Sequence, residues 1–331
     1  MIRRLLHSPR RAAMALAAIV PIGAIGIWGL MDQQRSLPVS APAPLAPPTA
    51  PMQVYHLGHS LVGAEVPHML QQFAGAGHSY NMQRGSGTSL RAHWDETEEI
   101  LDFEQVNAAP IWRAPRAAIA SGDYDAVILT EMVELRDAIR YFDGAKFLHL
   151  WAELTRNSNA ETRLYLYETW HRLDDPAGWL TRIDRDLDAL WLGQLMAKDA
   201  RAGADHPIYL IPGGQVLGAV VRAAEAGQLA GVTHREQLFA RNEDGSLDQI
   251  HLSPLGAYVI AMAHYAVLYH RSPEGLPHQV TLSDGTPFAA FNSAEAAAET
   301  QALIWQVVTR IPHTGLSPAA PAGAQPTKVA S

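Results

Sequence analysis

Between residues 53 and 312, two kinds of hydrophobic pattern alternate along the chain. Short apolar runs rich in Val, Ile, Leu and Tyr predict β-strands at Gln53–Leu57, Ser79–Gln83, Ala126–Thr130, Arg163–Tyr167 and Pro207–Ile211. Ser79–Gln83 is the most polar of the five. Apolar positions recur at helical spacing over Phe147–Leu154, Ile183–Ala200, Val216–Gln228 and Ala294–Arg310. Pro67 suits a first helical position, and Gly75-Ala76-Gly77 supplies the stop. Leu255–His270 is apolar almost all round, which predicts a buried helix too short to span a membrane. Strands alternating with helices imply a parallel sheet covered on both faces and joined by right-handed crossovers, in one doubly wound domain.

The ends follow other rules. Residues 1–11 carry Arg3, Arg4, Arg10 and Arg11 and no acid, and residues 12–31 run for twenty positions without a charge. That length can cross a bilayer, and the basic flank is expected to stay on the cytoplasmic side. Residues 1–31 are therefore expected to be a membrane anchor or a signal segment that sends the rest of the chain outward. No small-x-small cleavage site directly follows the apolar run, which favours the anchor. Residues 32–52 form a Pro/Ala-rich linker, expected to be an extended spacer, and 313–331 a Pro/Ala-rich disordered tail. The folded body is then 53–312.

Charge and composition narrow the chemistry. A formal net charge of -8, with no Lys/Arg stripe in the body, argues against a nucleic-acid partner. There are no cysteines, which excludes disulfides, thiolate metal sites and cysteine nucleophiles.

Ser60 follows the first strand, in Val54-Tyr55-His56-Leu57-Gly58-His59-Ser60. Open α/β sheets bind ligands at the C-terminal ends of their strands, so Ser60 is the candidate nucleophile. A serine hydroxyl needs a base, and the base needs a group to fix its tautomer. Asp248 and His251, three apart just ahead of the buried helix, offer both, and Ser253 with Pro254 reads as that helix's cap and first position. Gly85-Ser86-Gly87 follows the second strand, where a backbone N–H can approach a developing oxyanion. His59 and His93 are expected to line the cleft and contact substrate, and Trp170 and His171 to shape a pocket at the end of the fourth strand. Residues 233–239 read as a loop or short helix packing the approach to Asp248. A metal on His56, His59 and His93 is not expected, because His56 and His59 straddle a strand end and no H-E-x-x-H occurs.

The ordered set resembles the SGNH hydrolases, the GDSL-type esterase/lipase superfamily. Gly58-His59-Ser60 corresponds to the first block of that family. Gly87, in Gly87-Thr88-Ser89-Leu90-Arg91-Ala92-His93-Trp94, corresponds to the second, in the G-x-S-L-x-x-H-W form of a bacterial subgroup. Asp248, His251, Leu252 and Ser253 correspond to the last. The resemblance implies a three-layer α/β/α sandwich with a mostly parallel, five-stranded, flavodoxin-like sheet. It also implies a serine esterase in which Ser60 attacks, His251 is the base, Asp248 orients it, and the N–H groups of Ser60 and Gly87 form the oxyanion hole. No cofactor and no metal are implied. The expected partner is an ester, such as an acetyl ester on a polysaccharide, met on the periplasmic side of a bacterial inner membrane or outside the cell after signal cleavage. Acyl transfer on the same fold, or a catalytically degenerate glycan-binding envelope protein, are the alternatives.

One block departs from the pattern. The family carries an asparagine donor after the middle strand, and here that stretch, Asp125 to Glu134, has none. Glu131 stands in the oxyanion region instead. An ionised carboxylate only accepts hydrogen bonds, so Glu131 must be protonated, orient a neighbouring donor, or do something else.

Overall fold

The computed structural model describes residues 39–317. The apolar run at 12–31 lies outside them, as does most of the C-terminal tail. Among the described residues no helix is long and apolar enough to cross a membrane.

The strands are β1 (Gln53–His59), β2 (Ser79–Gly85), β3 (Ala126–Leu129), β4 (Arg163–Glu168) and β5 (Ile208–Pro212). They form one sheet in the order β2-β1-β3-β4-β5, every neighbouring pair parallel. This is the flavodoxin-like order of the expected three-layer sandwich. Successive side chains of a strand face opposite ways, and the two cores follow that period. Val54, Ile128, Tyr165, Tyr167 and Ile211 enter one layer, while Tyr55, Leu57, Val127, Leu129, Leu164 and Leu210 enter the other.

The helix Pro254–Tyr269 is buried from Gly256 onward, as its all-round apolar pattern predicts, and Ser253 caps it by accepting the Gly256 N–H at 3.2 Å. Pro67 is the third residue of the helix Glu65–Ala74, not the first. The stretch predicted as one helix over Ile183–Ala200 is a composite: α-helix Trp179–Asp186, π-helix Leu187–Met196, then α-helix Ala197–Ala202. Leu187 and Leu192, and likewise Trp191 and Met196, lie five positions apart, a spacing that suits the wider i→i+5 turn.

The ends of the body carry contacts of their own. Residues 39–52 form no helix or strand, as their prolines predict, yet they are tied to the body. The Tyr209 hydroxyl donates to Ala43 O at 2.8 Å, Arg163 Nη2 to Ala46 O at 2.7 Å, and His313 Nε2 to Val39 O at 3.0 Å. Leu45 N–H donates to Gly315 O at 2.8 Å. Thr314 and Leu316 are themselves buried. These contacts make the extended segment a strap along the body.

Candidate active site

The seat of Ser60 is built by two glycines. β1 ends at His59, in register with Gly85 of β2. Ser60 opens a single 3₁₀ turn, Ser60–Val62, closed by Gly63 at φ +62°, whose N–H donates to Ser60 O at 3.0 Å. A Cβ on Gly58 would stand 2.6 Å from Thr130 Cβ, so no side chain fits where the chain leaves the sheet.

The second half of the site comes from a two-stranded ribbon. A 3₁₀ turn at Arg235–Leu238 leads into β6 (Phe239–Arg241), which pairs antiparallel with β7 (Leu247–Leu252). Asp248 Oδ1 accepts the N–H groups of Ile250 at 2.8 Å and His251 at 2.9 Å. Asp248 Oδ2 lies 2.9 Å from His251 Nδ1, and His251 Nε2 lies 3.0 Å from Ser60 Oγ. A carboxylate only accepts, so Nδ1 carries the ring proton and Nε2 is left to accept from the Ser60 hydroxyl. Partial burial pushes the Asp248 carboxyl up, but the two N–H groups and the His251 ring outweigh it and hold it below the usual carboxylate range. The His251 side chain keeps 45% of its surface exposed and Ser60 is half-buried, so the set opens to solvent.

The loop after β4 braces this ribbon. The Trp170 indole N–H donates to Ile250 O at 2.8 Å, and Leu173 N–H to Gln249 O at 2.8 Å. Trp170 and His171 are buried, so neither is the pocket wall expected from sequence; His171 Nε2 lies 3.2 Å from Asp186. Arg182, which the sequence did not single out, fixes the same loop from within. Its guanidinium reaches Asp175 at 2.6 Å, Asp186 at 2.9 Å and Glu134 at 2.7 Å. The Arg182/Asp186 pair at i, i+4 is the only sequence signal that could have found it.

The other sites expected from sequence fall in two places. Gly87 is exposed, at φ +57°, in the turn directly after β2 and so at the same sheet edge as Ser60. His59, His93 and Glu131 are buried behind that edge. His93 is a fastening, not a substrate contact: Nε2 donates to Gly58 O at 2.7 Å, and Nδ1 accepts from Gln83 Nε2 at 3.0 Å. The Trp112 indole sets the Gln83 amide by donating to its Oε1 at 2.9 Å. His59 accepts the Leu61 N–H on Nδ1 at 3.4 Å, and its buried Nε2 has no hydrogen-bond partner among the described residues. Burial pushes both rings down to about 4, against the Glu131 and Gly58 carbonyls, so both are neutral. Glu131 Oε1 accepts from Met132 N at 2.8 Å and Leu90 N at 3.2 Å. Burial pushes its carboxyl up to about 7.

No group forms on His56, His59 and His93. Among the described residues, the one His/carboxylate cluster with ligand-like spacing is His149, Glu153 and Asp199. A cation already serves it: Arg156 Nη1 bonds Glu153 and Asp199, each at 2.9 Å.

Fold and site together define a three-layer α/β/α protein with a hydrogen-bonded Ser–His–Asp set at the C-terminal edge of its sheet. No protein-family model and no curated protein matches the sequence. Among solved structures, the chain is similar to a DUF4886 family protein from Bacteroides uniformis, with 15% identity, a TM-score of 0.51, and coverage of 78% of this chain and 94% of that one. That likeness is one of fold. A lipase from a goat-rumen metagenome aligns at 13% identity and TM-score 0.38, over 66% of this chain and 98% of its own. A GDSL-like lipase candidate from Parabacteroides merdae aligns at 13% and 0.38, over 71% and 99%.

Proposed function

We propose that the chain is a serine hydrolase of the SGNH type that cleaves a carboxylic ester through an acyl-enzyme on Ser60. The observation that carries this is the relay of 3.0 Å from Ser60 Oγ to His251 Nε2 and 2.9 Å from His251 Nδ1 to Asp248. In the proposed reaction His251 takes the Ser60 proton as Oγ attacks the ester carbonyl, then gives it to the leaving alcohol. Asp248 holds the ring and stabilises the imidazolium. The N–H groups of Ser60 and Gly87 receive the oxyanion, and water reverses the sequence to release the acid. No step calls on a metal or cofactor.

An acyl ester on a polysaccharide outside the cytoplasm is the proposed substrate, with residues 12–31 as anchor or export signal. An intact relay favours catalysis over a purely glycan-binding role. A fluorophosphonate probe tests the proposal: the wild-type protein should label and Ser60→Ala should not. Equal labelling of the two, or none of either, overturns it. Adding a polysaccharide acceptor to an ester assay then separates hydrolysis from acyl transfer by product.

A further inference from the structure

We infer that Glu131 is a positioning residue, which latches the turn after β2 to the end of β3 and so sets the place of Gly87 beside Ser60. The inference rests on the hydrolase proposed above and assigns a task to the residue that replaces the family's asparagine donor.

Register brings Glu131 level with the nucleophile. Thr130 N–H donates to Leu57 O at 2.9 Å, so pairing with β1 continues past the end of β3, and Glu131 comes beside His59. From there its Oε1 takes two N–H groups, that of Met132 at 2.8 Å and that of Leu90 at 3.2 Å. Leu90 begins the five-residue helix Leu90–Trp94, three positions after Gly87. Ser89 caps this short helix by accepting the Ala92 N–H at 3.2 Å, Arg116 closes it on Trp94 O at 2.6 Å, and three further side chains tie it to the body. The Trp151 indole donates to Leu90 O at 3.0 Å, His93 reaches Gly58 O at 2.7 Å, and Glu131 takes the Leu90 N–H, the bond nearest the turn.

The surroundings are shaped for a carboxyl that faces inward. Glu131 is fully buried, so it offers nothing to a substrate. A Cβ on Gly144, the first residue of the helix Gly144–Ser158, would stand 2.8 Å from Glu131 Oε2, so a glycine there leaves its room. Oε2 has no hydrogen-bond partner among the described residues, whereas Oε1 has two. Any proton therefore sits on Oε2, and Oε1 accepts in both charge states. The latch does not depend on ionisation. Asparagine in the family's pattern would supply a side-chain donor to the oxyanion; here that hole would be built from main-chain N–H groups, with Glu131 holding one of their carriers.

Glutamine and methionine fill nearly the same space as Glu131, but only glutamine keeps an acceptor at Oε1. In a Ser60→Ala background, hydrogen exchange of the segment 86–94 reads the latch without chemistry. With Ser60 present, the rate of fluorophosphonate labelling reads its consequence. Glu131→Met should speed exchange of the Leu90 amide roughly tenfold, the worth of about one hydrogen bond. It should slow labelling by up to about 10²-fold, as a displacement of order 1 Å can. Glu131→Gln should stay within about threefold of wild type in both, since it keeps the acceptor.

Unchanged exchange in Glu131→Met overturns the latch. Faster exchange with unchanged labelling makes the bond merely structural and overturns the positioning role. If Glu131→Met melts below the assay temperature, Glu131→Gln decides alone, and loss of protection and labelling in that variant overturns the inference. A wild-type protein that never labels overturns the hydrolase itself and with it the positioning role, while the exchange data still report whether the latch exists.

Discussion

His93 and Gly58 meet at 2.7 Å, the imidazole Nε2 donating to a carbonyl two residues ahead of Ser60. The ring is buried and its other nitrogen is taken by Gln83, so the bond couples the short helix Leu90–Trp94 to the strand that leads to Ser60. Replacing His93 by Leu should destabilise the protein by about 1–3 kcal/mol, because it strands the Gly58 carbonyl and the Gln83 amide. Urea denaturation checks this. A histidine that served only to contact substrate would raise KM and leave the midpoint in place.

Asp248→Asn should lower kcat by about 10⁴, the effect of the same change in a Ser–His–Asp protease, by favouring the wrong tautomer of His251. KM should move little, because Asp248 faces the His251 ring and the backbone N–H groups of Ile250 and His251 rather than the cleft. Steady-state kinetics on an activated acetyl ester give both numbers. A loss below tenfold would mean that Asp248 does not orient the base.

Gly58→Ala places a carbon 2.6 Å from Thr130 Cβ and 3.1 Å from Val62 Cγ2. The strain should cost about 1–3 kcal/mol and push β1 away from β3 at the nucleophile. Thermal melts should fall and fluorophosphonate labelling should slow together. A melt that falls with labelling intact would separate the seat of Ser60 from the packing beneath it.

The stability of the body should peak near pH 6.5. Burial holds His59, His78, His93, His264 and His270 down to about 4. A folded pKa below the unfolded one gives stability that is present above the unfolded value and lost as pH falls through the folded one, here between about 6.5 and 4. Glu131 and Glu168 act in the opposite sense, since burial lifts them to about 7 and about 8. Their contribution is full below their unfolded pKa and is lost as pH rises through 7 and 8. These five histidines, with His56 also held well below its usual range by burial, outweigh the two glutamates on the acid side, and of these groups only the glutamates act above 6.5. Urea midpoints from pH 4.5 to 8.5 check the peak, and Glu168→Gln should flatten the alkaline limb.

Arg182→Met should be the most destabilising of these changes, by about 3–5 kcal/mol, because it removes the cation from a buried cluster and leaves acids behind. Arg182 and Asp186 side chains are each only 2% exposed. Arg182 also ties the loop that braces Ile250, so activity should fall with stability. Added salt should restore little of either, since screening acts weakly on buried pairs.

The sheet was legible because its signal is carried by side chains in register. Val54 and Ile128 face one core while Tyr55 and Val127 face the other, and that alternation is written directly in the residues. Ser60, Asp248 and His251 were legible because few residue types can do their chemistry and they stand in the expected order. The ribbon that carries His251 was not, because β6 is three residues long and has no alternation to read. Arg182 hid because its acids lie 7 and 48 positions away as well as 4. The role of Glu131 needed coordinates, since a side chain that accepts from Leu90 cannot be told from sequence apart from one that faces substrate.

The strap at 39–52 and the C-terminal end of the body meet on one side of the sheet. Val39 and His313 are joined at 3.0 Å, so the body is entered and left at neighbouring points. Its contacts with Arg163, at the start of β4, put that strap at the N-terminal edge of the parallel sheet, whereas Ser60 lies beyond the other end of β1. At about 3.3 Å per residue the seven residues of β1 separate the two edges by roughly 20 Å. The strap and Ser60 therefore stand at opposite edges of the same sheet.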